Sequence, residues 1–156
     1  MKAHQSTIGL NDEWLTPPEI LSKLGHFHLD PCSPVNPPWQ IADSFFAEGG
    51  LEKSWYGRVF CNPPFNRYAR PKWMQKMANH GDGILLVPAA TETNAFRAYV
   101  WNWAFAVCFL YGRPHFHYVD GSRAKANCGC SIALVAYGQY NAEVLQNSGL
   151  GRTVTL

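Results

Sequence analysis

The stretch RVFCNPPF, residues 58–65, joins an apolar run to the tetrapeptide Asn-Pro-Pro-Phe. Residues 58–61 have the composition of a buried strand. The two prolines after Asn62 cannot continue that strand, because each fixes φ and lacks a backbone N–H. The sequence therefore predicts a strand that ends at a polar side chain on stiff backbone.

Apolar runs of this kind alternate with helical patterns along the rest of the chain. Strands are predicted at residues 26–29, 58–61, 83–88, 105–111 and 131–137, and helices at 16–25, 71–79 and 93–104, with Gly81 as a stop signal. The alternation is typical of an α/β fold with a mostly parallel, twisted sheet flanked by helices. Ligands bind such sheets beyond the carboxyl ends of the strands, where Asp30 and Asn62 are expected.

The first predicted helix begins with Thr16-Pro17-Pro18-Glu19. A threonine hydroxyl can accept a hydrogen bond from the unpaired amides of a first helical turn, and proline is favoured in that turn. Thr16 is therefore predicted to cap the helix, which ends near Gly25.

The chain has 156 residues, the usual size of one domain. We expect a single domain, 1–156, with a core at about residues 12–138 and a loosely attached tail at 139–156. The net charge of +2 permits a nucleic-acid partner without requiring one. Five cysteines and an N-terminus without an apolar signal core favour a reduced, soluble, cytoplasmic protein with no membrane segment.

The tetrapeptide Asn62-Pro63-Pro64-Phe65 suits a particular chemistry. The side-chain oxygen of Asn62 and the Pro63 carbonyl are able to accept both hydrogens of one exocyclic amine, which orients the nitrogen lone pair. Phe65 is expected to stack on the planar group that bears the amine. A second such string, NPPW at residues 36–39, follows a proline-rich segment and is interpreted as an irregular loop.

Five segments together resemble the phage DNA N-6-adenine methyltransferase (Dam) family. They are DEWLTPPEIL (12–21), HLDPCS (28–33), GRVFCNPPF (57–65), GILLVPAATET (83–93) and GRPHF (112–116). The resemblance implies a Rossmann-like class I methyltransferase fold and S-adenosylmethionine as the methyl donor. It implies the N-6 amine of adenine in double-stranded DNA as acceptor, and a phage-encoded enzyme related to restriction and modification.

The resemblance also assigns site residues. The catalytic tetrapeptide is Asn62, Pro63, Pro64 and Phe65. The resemblance also makes Thr16, Pro17, Asp30, Pro31 and Asn62 candidates for the donor site. Trp14 and Cys32 are further candidates, and Asp43 and Glu48 are alternative acidic candidates for the donor ribose. Trp14 also suits a packing role as a hydrophobic staple, and its position before the predicted helix favours that role. The chain departs from the wider methyltransferase pattern because Cys32-Ser33-Pro34 stands where a Gly-x-Gly loop is usual.

Polar and basic residues on either side of the predicted site are candidates for DNA contacts. They are Asn66, Arg67, Tyr68, Arg70, Lys72, Arg123 and Lys125. Cys128 and Cys130 with His115 and His117 invite a zinc interpretation, but a one-residue spacer is atypical of structural zinc, and no metal is predicted.

Two alternatives stay open from the sequence. One is a methyltransferase for another planar amine, in DNA cytosine, an RNA base or a protein glutamine. The other is a DNA-binding domain of the same fold that has lost catalysis. The chain is expected to act as a monomer or homodimer, and its DNA recognition sequence is not evident.

Overall fold

A computed structural model describes residues 13–156. Asp12, the first residue of the predicted core, and the N-terminal segment assessed for a signal sequence lie outside the described residues. The strands are β1 (Leu29–Asp30), β2 (Ser44–Phe45), β3 (Val59–Cys61), β4 (Gly83–Pro88), β5 (Ala106–Leu110), β6 (Ile132–Tyr137) and β7 (Gly151–Thr155). The helices are α1 (Pro18–Leu21), α2 (Arg70–His80), α3 (Asn94–Phe96), which continues as a π-helical segment (Arg97–Trp101), and α4 (Gln139–Asn147).

The strands form one seven-stranded sheet in the order β2-β1-β3-β4-β6-β5-β7. The pairings β1–β2, β1–β3 and β3–β4 are parallel, and β4–β6, β5–β6 and β5–β7 are antiparallel. The α/β class is confirmed, and the sheet is mixed: β1 to β5 point in one direction, and β6 and β7 run antiparallel to them. The change of direction begins at the β5–β6 connection, which contains no helix and returns β6 antiparallel to β5.

Each face of the sheet packs against its own helices, as alternation along β4 shows. Ile84 and Leu86 join a buried cluster with residues of α1 and α4. Leu85 and Val87 join a second cluster with residues of α2 and the α3 segment. Because successive side chains of a strand point to opposite faces, a continuous apolar run fits a strand covered on both sides.

The helices match their predicted positions with different accuracy. Helix α2 spans the predicted segment, and Gly81 is its C-cap. Gly81 has a left-handed φ of 80°, and its N–H donates to the Met77 carbonyl (3.0 Å). Helix α1 is only four residues long. The third predicted helix divides into α3 and a π-helical turn.

The segment after Gly138 is part of the fold, and the prediction of a loosely attached tail is wrong. Ala142 and Leu145 of α4 are buried in the sheet's first cluster, with 2 % and 1 % of their surface exposed. Strand β7 pairs with β5 over five residues. The last two elements therefore complete the sheet and cover one of its faces.

A buried arginine ties α4 to the start of β3. Arg58 donates from Nε to Asn141 Oδ1 (2.6 Å) and from its two terminal nitrogens to the carbonyls of His26 and Leu24 (both 2.7 Å). The guanidinium also lies over the Phe27 ring, 4.2 Å from its centroid. Asn141 donates in turn to the Tyr137 carbonyl (2.7 Å). Burial lowers the pKa of Arg58, and these neutral acceptors compensate for its lost hydration.

We expect Leu145→Ala to lower the free energy of unfolding by about 2–5 kcal/mol, because it leaves a cavity in the buried cluster. Chemical denaturation of the two proteins measures the difference. The exposed neighbour Gln146 supplies the control, since Gln146→Ala removes no buried surface. Equal stability of the Leu145→Ala and wild-type proteins would contradict the packing of α4.

Candidate functional site

The candidate site lies where the chain connections of the sheet diverge. Strand β1 pairs with β2 on one side and with β3 on the other, and all three run parallel. Their carboxyl ends therefore open a crevice, the usual ligand position in such sheets. Asp30 ends β1 and Asn62 directly follows β3. The sequence prediction that these two strand ends lie at one edge is confirmed.

A cleft opens at this crevice. It is lined by Glu13, Trp14, Leu15, Pro31, Cys32, Ser33, Pro34, Phe46, Ala47, Glu48, Gly49, Gly50, Asn62, Pro64 and Trp73. Its volume is about 130 Å³. Small-molecule sites usually hold about 300–1,000 Å³, so a nucleoside-sized ligand has to extend into the open mouth of the cleft.

The amide of Asn62 has a defined orientation. Its Nδ2 donates to the Trp14 carbonyl (2.8 Å) and to the Thr16 hydroxyl (3.1 Å). A backbone carbonyl can only accept, so nitrogen must be the atom that faces Trp14. The oxygen Oδ1 consequently points away from Trp14, and within residues 13–156 no donor is bonded to it. Asn62 thus offers an acceptor at the cleft.

The other residues of the tetrapeptide have distinct surroundings. Pro64 lines the cleft, whereas Pro63 is buried and its carbonyl accepts no hydrogen bond from any described residue. Phe65 is only 7 % exposed, and its ring packs edge-to-face on Phe116 with centroids 5.7 Å apart. Phe65 therefore belongs to the core and presents little surface for stacking.

Thr16 does not cap α1, and that prediction is wrong. Pro17 is the residue that precedes the helix, and no side chain caps it. Thr16 is fully buried, and its hydroxyl accepts from Asn62. A partner 46 residues away in the chain therefore replaces the local helix amides as the hydrogen-bond donor.

The predicted donor-site residues separate into two groups. Trp14, Pro31, Cys32 and Asn62 line the cleft. Thr16, Pro17, Asp30 and Asp43 do not. Pro17 faces a different pocket, one that also contains Arg113 and Arg123. The Trp14 ring lies against Tyr118, with centroids 5.1 Å apart, so this residue both packs and lines the cleft.

The structure places Asp43 away from the cleft. It directly precedes β2 and so lies at the amino end of that strand, opposite the cleft. Its carboxylate bonds to His26 Nε2 (2.7 Å). Glu48 follows β2 and lines the cleft. The two-residue strand β2 leaves too short a pattern in the sequence to distinguish the two carboxylates.

Gly50 lets two parts of the cleft wall approach closely, which the sequence analysis did not detect. A Cβ at this position would lie 2.0 Å from the Pro31 carbonyl oxygen and 2.7 Å from the Trp73 ring. No larger residue fits there. The two glycines that line this cleft, Gly49 and Gly50, therefore follow β2, whereas the usual pattern would place them after β1.

Asp30 is buried beneath the cleft. Only 5 % of its surface is exposed, and Oδ1 accepts the N–H of Cys32 (3.2 Å). Burial raises the pKa of the Asp30 carboxyl to about 7, against the opposing effect of that hydrogen bond. Burial also raises the pKa of the Cys32 thiol to about 12. Cys32 is therefore a neutral thiol at physiological pH and a poor nucleophile.

The loop after the tetrapeptide is ordered by its own side chains. Asn66 Oδ1 accepts the N–H groups of Tyr68 (3.1 Å) and Ala69 (2.8 Å) and so closes the turn before α2. Arg67 donates to the Tyr68 hydroxyl (2.7 Å), and both side chains are exposed. Arg67 and Tyr68 thus remain accessible candidates for DNA, while the Asn66 oxygen has a structural role.

The remaining basic candidates lie in different environments. Arg70 Nη1 donates to the Phe65 carbonyl (2.9 Å), so this arginine holds the backbone at the end of the tetrapeptide. Lys72 is exposed on α2. Arg123 and Lys125 are exposed on the β5–β6 loop, which leaves the sheet at the cleft edge because β5 runs parallel to β4.

The other NPP string has none of these surroundings. Residues 36–39 form an irregular loop, as predicted, and none of them lines the cleft. Asn36 is exposed. Trp39 instead packs edge-to-face on His117, with centroids 5.2 Å apart.

One side-chain cluster has the composition of a metal site. The ligand atoms of His26, His28 and Asp43 lie within 4.8 Å of one another on the surface. His28 Nδ1 accepts the backbone N–H of Arg58 (2.8 Å), so its other ring nitrogen carries the proton. Metal-bound histidines normally donate from the second nitrogen, and His28 has the opposite arrangement.

The cysteines form no disulfide bond, since all five are free thiols. The thiol of Cys128 donates a hydrogen bond to the Cys130 carbonyl.

Comparison with protein-family models, with curated proteins and with solved structures returned no match to this chain. None of the helices within residues 13–156 is both long and apolar enough to cross a lipid bilayer.

Proposed function

We propose that the chain is a DNA adenine methyltransferase, which transfers a methyl group from S-adenosylmethionine to the N-6 amine of adenine. The observation that carries the proposal is the oriented amide of Asn62 at the carboxyl end of β3. An acceptor in this position recognises an amine, which donates, and rejects a ring carbonyl, which cannot. Adenine and cytosine carry such amines, and the motif resemblance favours adenine.

Two acceptors share the task of holding the amine. Asn62 Oδ1 and the Pro63 carbonyl are consecutive in the chain, and neither is bonded to a donor from the described residues. Each accepts a hydrogen bond from one N–H of the amine, and the two bonds together turn the nitrogen lone pair out of the plane of the base. Orientation of this kind lowers the barrier by pre-arranging the reacting atoms. The adenine has to leave the duplex to reach the cleft.

The cleft suits a donor that contains adenosine. Trp14, Phe46 and Trp73 provide aromatic walls, and Glu48 provides a carboxylate after β2. Aromatic faces bind flat rings and cations, and a carboxylate near the strand ends is the usual partner of ribose hydroxyls. S-adenosylmethionine, when bound, supplies an electrophilic methyl group. Trp14 and Trp73 exclude water from the cleft beside it.

The direct test is mass spectrometry of nucleosides from DNA incubated with the protein and isotopically labelled S-adenosylmethionine. We expect labelled 6-methyladenine. Label in cytosine, in RNA or in protein glutamine would replace adenine with another planar amine as the acceptor. If calorimetry detected no binding of S-adenosylmethionine, the enzymatic proposal would be overturned. The remaining interpretation would be a DNA-binding domain of the same fold that has lost catalysis.

A further inference from the structure

We infer that Thr16 is a positioning residue for Asn62. The inference deepens the proposed function and rests on it for the catalytic consequence. Thr16 has no exposed surface and is not among the residues that line the cleft. Its hydroxyl oxygen instead accepts one hydrogen of Asn62 Nδ2 at 3.1 Å.

The two hydrogens of the Asn62 amide have two separate partners. The Trp14 carbonyl accepts one at 2.8 Å and the Thr16 hydroxyl accepts the other. A primary amide has only two N–H donors, so both are used. One bond alone would leave the amide free to rotate about its terminal side-chain torsion, whose energy well is broad. The second bond removes that freedom and keeps Oδ1 directed at the amine.

Trp14, Leu15 and Thr16 form a strap across Asn62, and the strap is itself held in place. Leu15 N donates to the His117 carbonyl (2.8 Å), and His117 N donates to the Leu15 carbonyl (3.0 Å). The His117 ring is bonded to the Gly121 carbonyl (2.9 Å). The strap is thus anchored to the β5–β6 loop, and the Thr16 hydroxyl has a defined position relative to β3.

The test compares Thr16→Val with Thr16→Ser. Valine keeps the shape of threonine and removes the acceptor, whereas serine keeps the hydroxyl. We expect Thr16→Val to lower kcat about tenfold, the usual effect of one lost hydrogen bond in a transition state, with the Kd for S-adenosylmethionine within about twofold of wild type. Thr16→Ser restores most of the rate. A wild-type kcat in Thr16→Val, or a weakened donor Kd with kcat unchanged, would overturn the inference.

A matched control and a readout independent of catalysis complete the experiment. Thr153 lies in β7, four strands from β3 in the sheet, and its hydroxyl donates a hydrogen bond to the carbonyl of Leu145 in α4 (3.2 Å). Thr153→Val therefore removes a comparable hydroxyl and leaves kcat unchanged. In NMR spectra, Thr16→Val shifts the side-chain amide signals of Asn62 and accelerates their hydrogen exchange. Unchanged Asn62 signals would refute the positioning role even if the wild-type protein transferred no methyl group.

Discussion

Asn62→Ala is expected to reduce methyl transfer to DNA by at least about 100-fold, because it removes an acceptor that orients the reacting amine. The substitution deletes both the oxygen that faces the cleft and the nitrogen bonded to Trp14 and Thr16. Donor affinity is expected to stay close to wild type, because most of the cleft wall is unaltered. Single-turnover rates with labelled donor measure the loss, and calorimetry measures donor binding.

Asn36→Ala is the matched control for this experiment. Asn36 belongs to the other Asn-Pro-Pro string, yet it is exposed on a loop and does not line the cleft. Its substitution is expected to leave the rate unchanged. Because Asn62→Ala leaves two buried acceptors unpaired, thermal unfolding of both variants has to accompany the rates. A folded Asn62→Ala protein with full activity would refute the proposed mechanism. A folded but inactive Asn36→Ala protein would show that residues 36–39, and not residues 62–65, form the catalytic tetrapeptide.

Asp30→Asn is expected to stabilise the protein increasingly as the pH rises from about 4 to about 7. The folded pKa of about 7 lies above the unfolded value of 3.8, so the folded state binds the extra proton between these limits. Wild-type stability therefore falls across this window as Asp30 is forced to ionise while buried. The difference between the folded and unfolded pKa of Asp30 corresponds to roughly 4 kcal/mol. Asparagine keeps the shape and the acceptor for Cys32 N–H but never ionises.

Denaturant unfolding at pH 4.5 and at pH 8 measures the effect. Asp30→Asn should be slightly more stable than wild type at the lower pH and much more stable at the higher one. Asp120→Asn serves as control, because hydrogen bonds from Ser122 lower the pKa of this exposed carboxyl. The Asp120→Asn protein should be less stable than wild type, because it loses a carboxylate that these hydrogen bonds favour. A difference for Asp30→Asn that does not depend on pH would show that the carboxyl is ionised without penalty.

The central strands could be predicted from sequence because their information is local. Strand β4 is a continuous apolar run, and it is buried on both faces as such a run implies. Helix α2 and its glycine stop were predicted for the same reason. The position of Asn62 at a strand end also follows locally, since two prolines must terminate β3.

The errors arose where a distant residue determines the structure. Helix α4 has a buried asparagine, Asn141, which looks like a surface residue until Arg58 is known to bind it. The Thr16 hydroxyl looks like a helix cap until Asn62 is placed beside it. Phe65 looks like an exposed stacking platform until Phe116 is found against its ring. In each case the partner lies more than 40 residues away, beyond the range of any periodic pattern.

The contact between Arg58 and Asn141 also constrains the order in which the chain can fold during its synthesis. The two residues are 83 positions apart. Until α4 has left the ribosome, the guanidinium at the start of β3 lacks its amide partner, and burying it would be costly. The nascent chain is therefore expected to hold β3 only loosely and to form the finished sheet late, when nearly the whole sequence is available. Incomplete chains released before α4 should stay unfolded and be degraded rapidly.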